Sequence, residues 1–281
     1  MNLHRLNAAS TPNIRSPEGA AARFLDTLQA CGQITFCLSE LQRETGLTRL
    51  AARRQLARLG ARVTRVTPRR DFFLVVSPEY QALGAPPVEW WLDAFCRYRQ
   101  QPYYLGLLSA AAMHGSSHQA AQVIQVITDR PMQAIVLGRL RVEFFVKKQV
   151  AATPVLEAPN AYAPLLLSTP EATMLDLVSY AHRIGGIARA METIADLRPK
   201  ISRKRLVRAL RAEQETPNKQ RLGFILQALG WQDMCDVVAA SLTGRRLPVM
   251  LQTHTPVNKG VKVADPQWMV VDNISMEPAL Q

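Results

Sequence analysis

Between Gly46 and Arg70 the chain carries eight arginines and no acidic residue. This stretch constrains the fold because its hydrophobic period changes partway through. Just before it, Ser39 caps a short helix through Leu41 to about Thr45, and Gly46 supplies the backbone freedom for a tight exit. Thr48 caps a second helix lasting to about Leu59, with Ala52, Leu56 and Leu59 on its inner stripe. The outer face carries Arg49 and Arg53 one turn apart, with Arg54 and Arg58 beside them. After Gly60 the period becomes that of a strand. Arg62–Val66 and Phe72–Val76 read as short strands, and the turn between them, Thr67-Pro68-Arg69-Arg70-Asp71, carries arginines at its tip. Helix, tight turn, helix and basic-tipped hairpin make the sequence shape of a winged helix-turn-helix.

A solvated helix face normally mixes signs, because opposite charges one turn apart support it. No such pair exists within this stretch, so its like charges repel each other unless an anion joins them. DNA offers phosphates along the groove edges and guanine edges within the groove, and the planar guanidinium fork bonds to both. The expected DNA-binding set is Thr48, Arg49, Arg53, Arg54, Arg58, Arg69 and Arg70. Arg49 and Arg53 are expected at base edges, Arg69 and Arg70 on phosphate or in the minor groove. The plain alternative is a small helical hairpin with a basic surface.

The 281 residues are 48% hydrophobic, enough for two domains with a sizeable core. The net charge of +12 favours a polyanionic partner or an acidic surface. No lysine precedes Lys147, so the first half is basic through arginine alone. Cys31, Cys37, Cys96 and Cys235 show no CxxC spacing and read as small buried hydrophobes of a reducing compartment. The N-terminus has no apolar core of a secretory signal, and the longest apolar stretch, around Tyr103 to Met113, is too short to span a bilayer. A cytoplasmic protein without membrane contact is expected.

Residues 1–15 read as a loose tail. Ser16-Pro17-Glu18 opens a helix that Gly32 ends, and Ile34–Cys37 is a strand able to pair with the later hairpin. The winged helix therefore occupies residues 16–80. Residues 81–88 hold Gly84, Pro86 and Pro87 and read as a linker. In the remainder, 89–281, helices are expected over Glu89–Arg99 and Tyr103–His114. Strands follow over Val123–Thr128, Gln133–Leu137 and Leu140–Val146. Further helices run from Thr169 to about Ala181, over Ile187–Leu197 and Arg203–Ala212, from Pro217 to Leu229, and over Trp231–Ser241. The fold class is α+β: an N-terminal winged helix-turn-helix followed by a larger mixed α/β domain.

No phosphate-binding glycine loop and no nucleophile elbow occurs. His114 and His118 flank a Gly-Ser-Ser loop and have no third ligand nearby. Asp129, Glu143 and Lys147 resemble nuclease residues but lack the acid-x-lysine spacing. Glu171 reads as a dipole partner in the first turn of its helix and Asp176 as a structural polar residue. No catalytic residue, metal or cofactor is expected. A second basic run, Arg198, Lys200, Arg203, Lys204, Arg205, Arg208 and Arg211, also lacks an acid. There Leu206, Val207 and Leu210 face inward, while Lys204, Arg208 and Arg211 share another face. A solvated surface and a surface for a nucleic acid or an acidic protein are both consistent with it.

Five segments together resemble one family. They are the basic N-terminal region, YYLGLLSAAAMHG (Tyr103–Gly115), VIQVITDRP (Val123–Pro131), LSTPEATMLDLV (Leu167–Val178) and DPQWMVVDN (Asp265–Asn273). In order and spacing the set is similar to the AbiEi antitoxins, the regulator half of type IV abortive-infection toxin–antitoxin pairs. The resemblance implies an N-terminal domain that binds inverted repeats of double-stranded DNA in its own promoter and represses the operon. It implies a C-terminal domain that counters a nucleotidyltransferase-like toxin without a stable complex. Lys204, Arg208 and Arg211 are the expected antitoxicity surface, with RNA as a candidate shared target. Three rivals stand beside this reading. They are a regulator whose C-terminal domain senses a ligand or dimerises, a nucleic-acid enzyme built on Asp129 and Glu143, and an antitoxin that binds its toxin directly through an exposed apolar patch.

Overall fold

Local signals set the first elements. Helix α1 (Ala20–Ala30) buries Ala21, Leu25 and Leu28, which recur at helical spacing. Strand β1 (Thr35–Cys37) leads directly into α2 (Leu38–Thr45). The start of α2 is set by Cys37 and not by Ser39. The Cys37 backbone N–H donates to Glu40 Oε2 at 2.6 Å, whereas Ser39 lies within the helix with its Oγ 2.9 Å from Cys37 Sγ. Gly46 ends α2 in the left-handed conformation at φ 69°. Thr48 caps α3 (Arg49–Arg58), its hydroxyl accepting the Ala51 N–H at 3.3 Å. Strands β2 (Val63–Arg65) and β3 (Phe72–Val75) form the hairpin, and β1 pairs antiparallel with β3, giving the order β1-β3-β2. The core beneath holds Leu25, Leu41, Ala52 and Leu56, with Phe36 stacked on Phe73 at 5.3 Å between ring centres.

The computed structural model describes residues 19–116, 123–160, 162–253 and 264–274. The expected tail, the helix start at Ser16 and His118 lie outside them. The chain divides into two units, Met1–Pro86 and Pro87–Gln281.

The second unit opens with a single turn, Val88–Trp90, and then α4 (Leu92–Tyr98), so the expected helix over 89–99 is interrupted at Trp91. The helix expected over Tyr103–His114 is in fact two elements, β4 (Tyr103–Leu105) and α5 (Leu107–Met113), divided at Gly106. The aromatic run suits a strand, and β4 lies inside the sheet, antiparallel to one neighbour and parallel to the other. Gly106 is needed at the break because a Cβ there would come within 2.8 Å of Ile127 Cδ1.

The remaining strands are β5 (Val123–Thr128), β6 (Ile135–Leu137), β7 (Leu140–Val146), β8 (Val155–Ala158) and β9 (Leu165–Ser168), in the sheet order β6-β7-β5-β4-β9-β8. Strands β8 and β9 are additions to the sequence reading. β8 is exposed and does not alternate, and β9 is too short to show a period. Tyr104, Ile127 and Phe145 face one another across three strands and are fully buried. Against this row pack α6 (Pro170–Ser179), α7 (Ile187–Asp196), α8 (Arg203–Ala212), α9 (Thr216–Ala228) and α10 (Gln232–Ser241). Helix α6 is buried from Pro170 to Val178 and is the axis of this core. Two short parallel strands, β10 (Val249–Met250) and β11 (Val270–Val271), close the unit. Among the described residues no helix is long and apolar enough to cross a membrane. The four cysteines are free. Cys96 and Cys235 are buried as expected, but Cys37 is half-buried and Cys31, at the end of α1, is exposed.

Candidate nucleic-acid interface

The arginines of the first unit are not all unpaired, although the stretch from Gly46 to Arg70 holds no acid of its own. Asp71 lies one residue beyond the run, and the hairpin folds it back against α3. Its carboxylate accepts from Arg49 at 2.6 Å, from Arg53 at 2.9 Å and from Arg65 at 2.7 Å. Burial raises the Asp71 pKa, but hydrogen bonds and charge from Arg53, with those of Arg49 and Arg65, outweigh it and hold the carboxyl below the usual carboxylate range. Arg65 also donates to the Arg70 carbonyl at 2.7 Å, which fixes the turn. Arg62 pairs with Asp26 at 2.5 Å. Four cations remain. Arg54 and Arg58 on α3, and Arg69 and Arg70 at the hairpin tip, are exposed and form no ion pair among the described residues. The Thr48 hydroxyl is engaged as the helix cap. The two arginines expected at base edges, Arg49 and Arg53, are thus the ones the fold ties to the hairpin.

The second basic run is sorted in the same way. Arg198 pairs with Asp233 at 3.1 Å and lies over the Trp231 ring. Arg205 pairs at 3.0 Å with Glu171, which is fully buried and also accepts the Ser202 N–H at 2.7 Å. Glu171 therefore reaches well beyond its own helix, and the two bonds set both the start of α8 and its rotation. Lys200, Arg203, Lys204, Arg208 and Arg211 are left exposed, with no ion pair among the described residues, and Arg203 donates to the Asp233 carbonyl at 3.4 Å.

Lys147 sits in a buried cluster, 2.8 Å from Asp176 and 3.5 Å from Glu213, while Tyr104 donates to the other Asp176 oxygen at 3.0 Å. Burial lowers the Lys147 pKa, but the two carboxylates outweigh it and raise it above the ordinary value. Burial raises the Asp176 pKa, and Lys147 only partly offsets that. The nuclease geometry does not assemble. Gln125 of β5 stands opposite Glu143 of β7, so Asp129, four residues further along a parallel strand, is roughly 13 Å away at the usual rise per residue. Asp129 pairs with Arg130 and Glu143 with Arg141. His114 donates from Nε2 to the Ser168 carbonyl at 2.7 Å, and burial lowers its pKa. Among the described residues no three His, Cys, Asp or Glu side chains are grouped to hold a metal.

Asp71 and Glu171 organise the two cationic surfaces, and sequence reasoning missed both roles. The available signals were an acid closing an arginine run and an acid in the first turn of a largely apolar helix.

No curated protein matches the chain. Among solved structures, the chain is similar to the crystal structure of the RV2827C protein from Mycobacterium tuberculosis. Sequence identity is 20%, coverage is 90% of this chain and 91% of that one, and the TM-score is 0.62, a likeness of fold alone. The solution structure of the antibiotic-resistance factor ANT(2'')-Ia matches at 16% identity over 53% of this chain and 86% of that one, with a TM-score of 0.28 that supports no argument. The family profile of the AbiEi antitoxin C-terminal domain matches residues 104–228, from the inner strand β4 through α9. That segment holds the sheet centre, the α6 hub and the cationic helix α8, and over it the chain is similar to the AbiEi antitoxin C-terminal domain.

Proposed function

We propose that the first unit is a winged helix-turn-helix that binds inverted repeats in the promoter of its own operon and represses it. The C-terminal unit, in this reading, counters a nucleotidyltransferase-like toxin in a type IV pair. The observation that carries the DNA-binding half is the set of four exposed cations, Arg54, Arg58, Arg69 and Arg70, divided between α3 and the hairpin tip. The Asp71 bonds to Arg49 and Arg53 keep those two elements side by side. Thr48, Arg49 and Arg53 are the supports of that surface, and Arg49 and Arg53 add positive potential to it.

The test is an anisotropy titration of the full chain against its promoter duplex over a range of salt. Affinity falls with a log–log slope of about −0.9 per phosphate neutralised. Replacing Arg69 and Arg70 together with alanine weakens all sequences alike and makes the slope shallower by about 1.8. A slope near zero would mean the arginines serve something other than DNA.

For antitoxicity we assign Lys204, Arg208 and Arg211, which share one face of α8 and gain from an anionic partner. If toxin and antitoxin form no stable complex, RNA is the natural shared target. The triple glutamine variant, expressed beside the toxin, should fail to protect growth while repression and melting temperature stay at wild-type values. Full protection by that variant would remove the face from antitoxicity.

A ligand-sensing regulator has one observation behind it. A cleft of about 530 Å³ is lined by Asp93, Arg97, Gln101, Tyr103, Thr153 and Glu157 among others. Asp93 there is already held by Tyr103 at 3.1 Å and by Arg97 at 2.7 Å, so its carboxylate serves the fold.

A further inference from the structure

The outward face of α3 is not uniformly basic. Leu50, Arg54 and Ala57 stand at i, i+4 and i+7, hence on one side of the helix, and all three are exposed. The inward stripe is Ala52 and Leu56, both buried. Leu50 is 60% exposed although it sits in the first turn of a helix otherwise crowded with arginine. One exposed leucine is ordinary on a protein surface. Its place here is not ordinary, because the N-terminal turn of a recognition helix is the part that meets base edges. The arginines on either side of that turn, Arg49 and Arg53, are drawn onto Asp71.

We propose that Leu50 and Arg54 read the DNA sequence, Leu50 against the C5-methyl of a thymine in the major groove and Arg54 on an adjacent base edge. This rests on the DNA-binding function proposed above. A leucine side chain can make no bond to a phosphate, and the thymine methyl is the apolar group that the major groove offers. Arg54 carries no ion pair among the described residues, so its fork is free for a bidentate contact. Ala57, one turn further on, is small enough to let the helix sit close to the groove floor. Asp71 is then a positioning residue that keeps Arg49 and Arg53 on the hairpin side, where they favour phosphate.

The experiment selects the preferred duplex from a random DNA pool with the full chain, then resynthesises it with uracil in place of each thymine singly. At one thymine per recognised site, loss of the methyl weakens wild-type binding about fourfold, the worth of one methyl-sized apolar group. Leu50→Ala, at an exposed position, melts as wild type and binds the thymine and uracil duplexes equally. The Arg69→Ala, Arg70→Ala variant binds more weakly but keeps the fourfold preference. If every uracil duplex binds wild type as well as the parent, or if Leu50→Ala keeps the preference, the assignment is overturned while DNA binding stands. If no duplex is enriched and binding to the pool does not change with salt, the DNA-binding function itself fails.

Discussion

Glu171 and Ser202 are joined at 2.7 Å: a carboxylate in the first turn of α6 accepts the backbone N–H of the residue that begins α8. The Ser202 side chain makes no capping bond of its own, so α8 takes its start from a residue 31 positions earlier. The same carboxylate bonds Arg205 in a direction that leaves Lys204, Arg208 and Arg211 outside. Glu171→Ala should therefore cost about 1–3 kcal/mol, since it leaves the Ser202 backbone donor without its acceptor, while the exposed Arg205 keeps its bond to the Lys200 carbonyl. Glu171→Gln retains an acceptor for Ser202 and should cost about half as much. Urea unfolding of both variants measures this, and equal losses would show that the Ser202 bond contributes nothing.

Asp71→Asn tests the arginine clamp. Its partners are partly exposed, so the stability loss is about 1 kcal/mol after allowance for solvent screening. The pH dependence follows from the lowered pKa of Asp71. A depressed carboxylate contributes stability that is full above its ordinary value near 3.8 and is lost as pH falls through the folded-state value. Wild type should thus lose its advantage over Asp71→Asn below about pH 4. With the carboxylate neutral, affinity for random DNA should rise and its salt slope should steepen, by up to about 0.9 for each arginine that reaches a phosphate. An unchanged slope would mean that Arg49, Arg53 and Arg65 stay turned away from DNA.

Lys147→Met leaves Asp176 and Glu213 facing each other without a cation and should cost about 3–5 kcal/mol, the usual result of breaking a buried pair. The raised Lys147 pKa sets the sign on the alkaline side. The stabilisation is full below the ordinary lysine value of 10.5 and is lost only as pH rises through the higher folded-state value. A melting temperature that responds equally to alkali in wild type and Lys147→Met would rule this out.

Gly223→Ala probes the closing segment. Trp268 is fully buried against Gly223, where an added Cβ would overlap the indole ring, and the indole N–H donates to Gln227 at 2.5 Å. The rigid ring cannot yield without losing that bond, so the substitution should cost about 3 kcal/mol or more. Denaturation of the variant measures it, and a loss below 1 kcal/mol would show that β11 is free to shift.

The sequence by itself determined the elements whose signals are local. Thr48 announced α3 because a cap and a helical stripe lie within a few residues of each other. β5 and β7 were legible because their β-branched and aromatic runs are long enough to show. The break at Gly106 was not legible, because Tyr103–Leu105 is too short to show a period and runs straight into the apolar residues of α5. The partners that make it a strand, β5 and β9, come later in the chain. The charge on the two basic surfaces divided in the same way. The sequence determined that arginine and lysine cluster in two places. Only the tertiary structure decided which of them are neutralised, because ion pairing follows distance in space. Asp71 meets Arg49 across 22 residues and Glu171 meets Arg205 across 34, and what these acids, with Asp26 and Asp233, leave unpaired is the surface available to a partner.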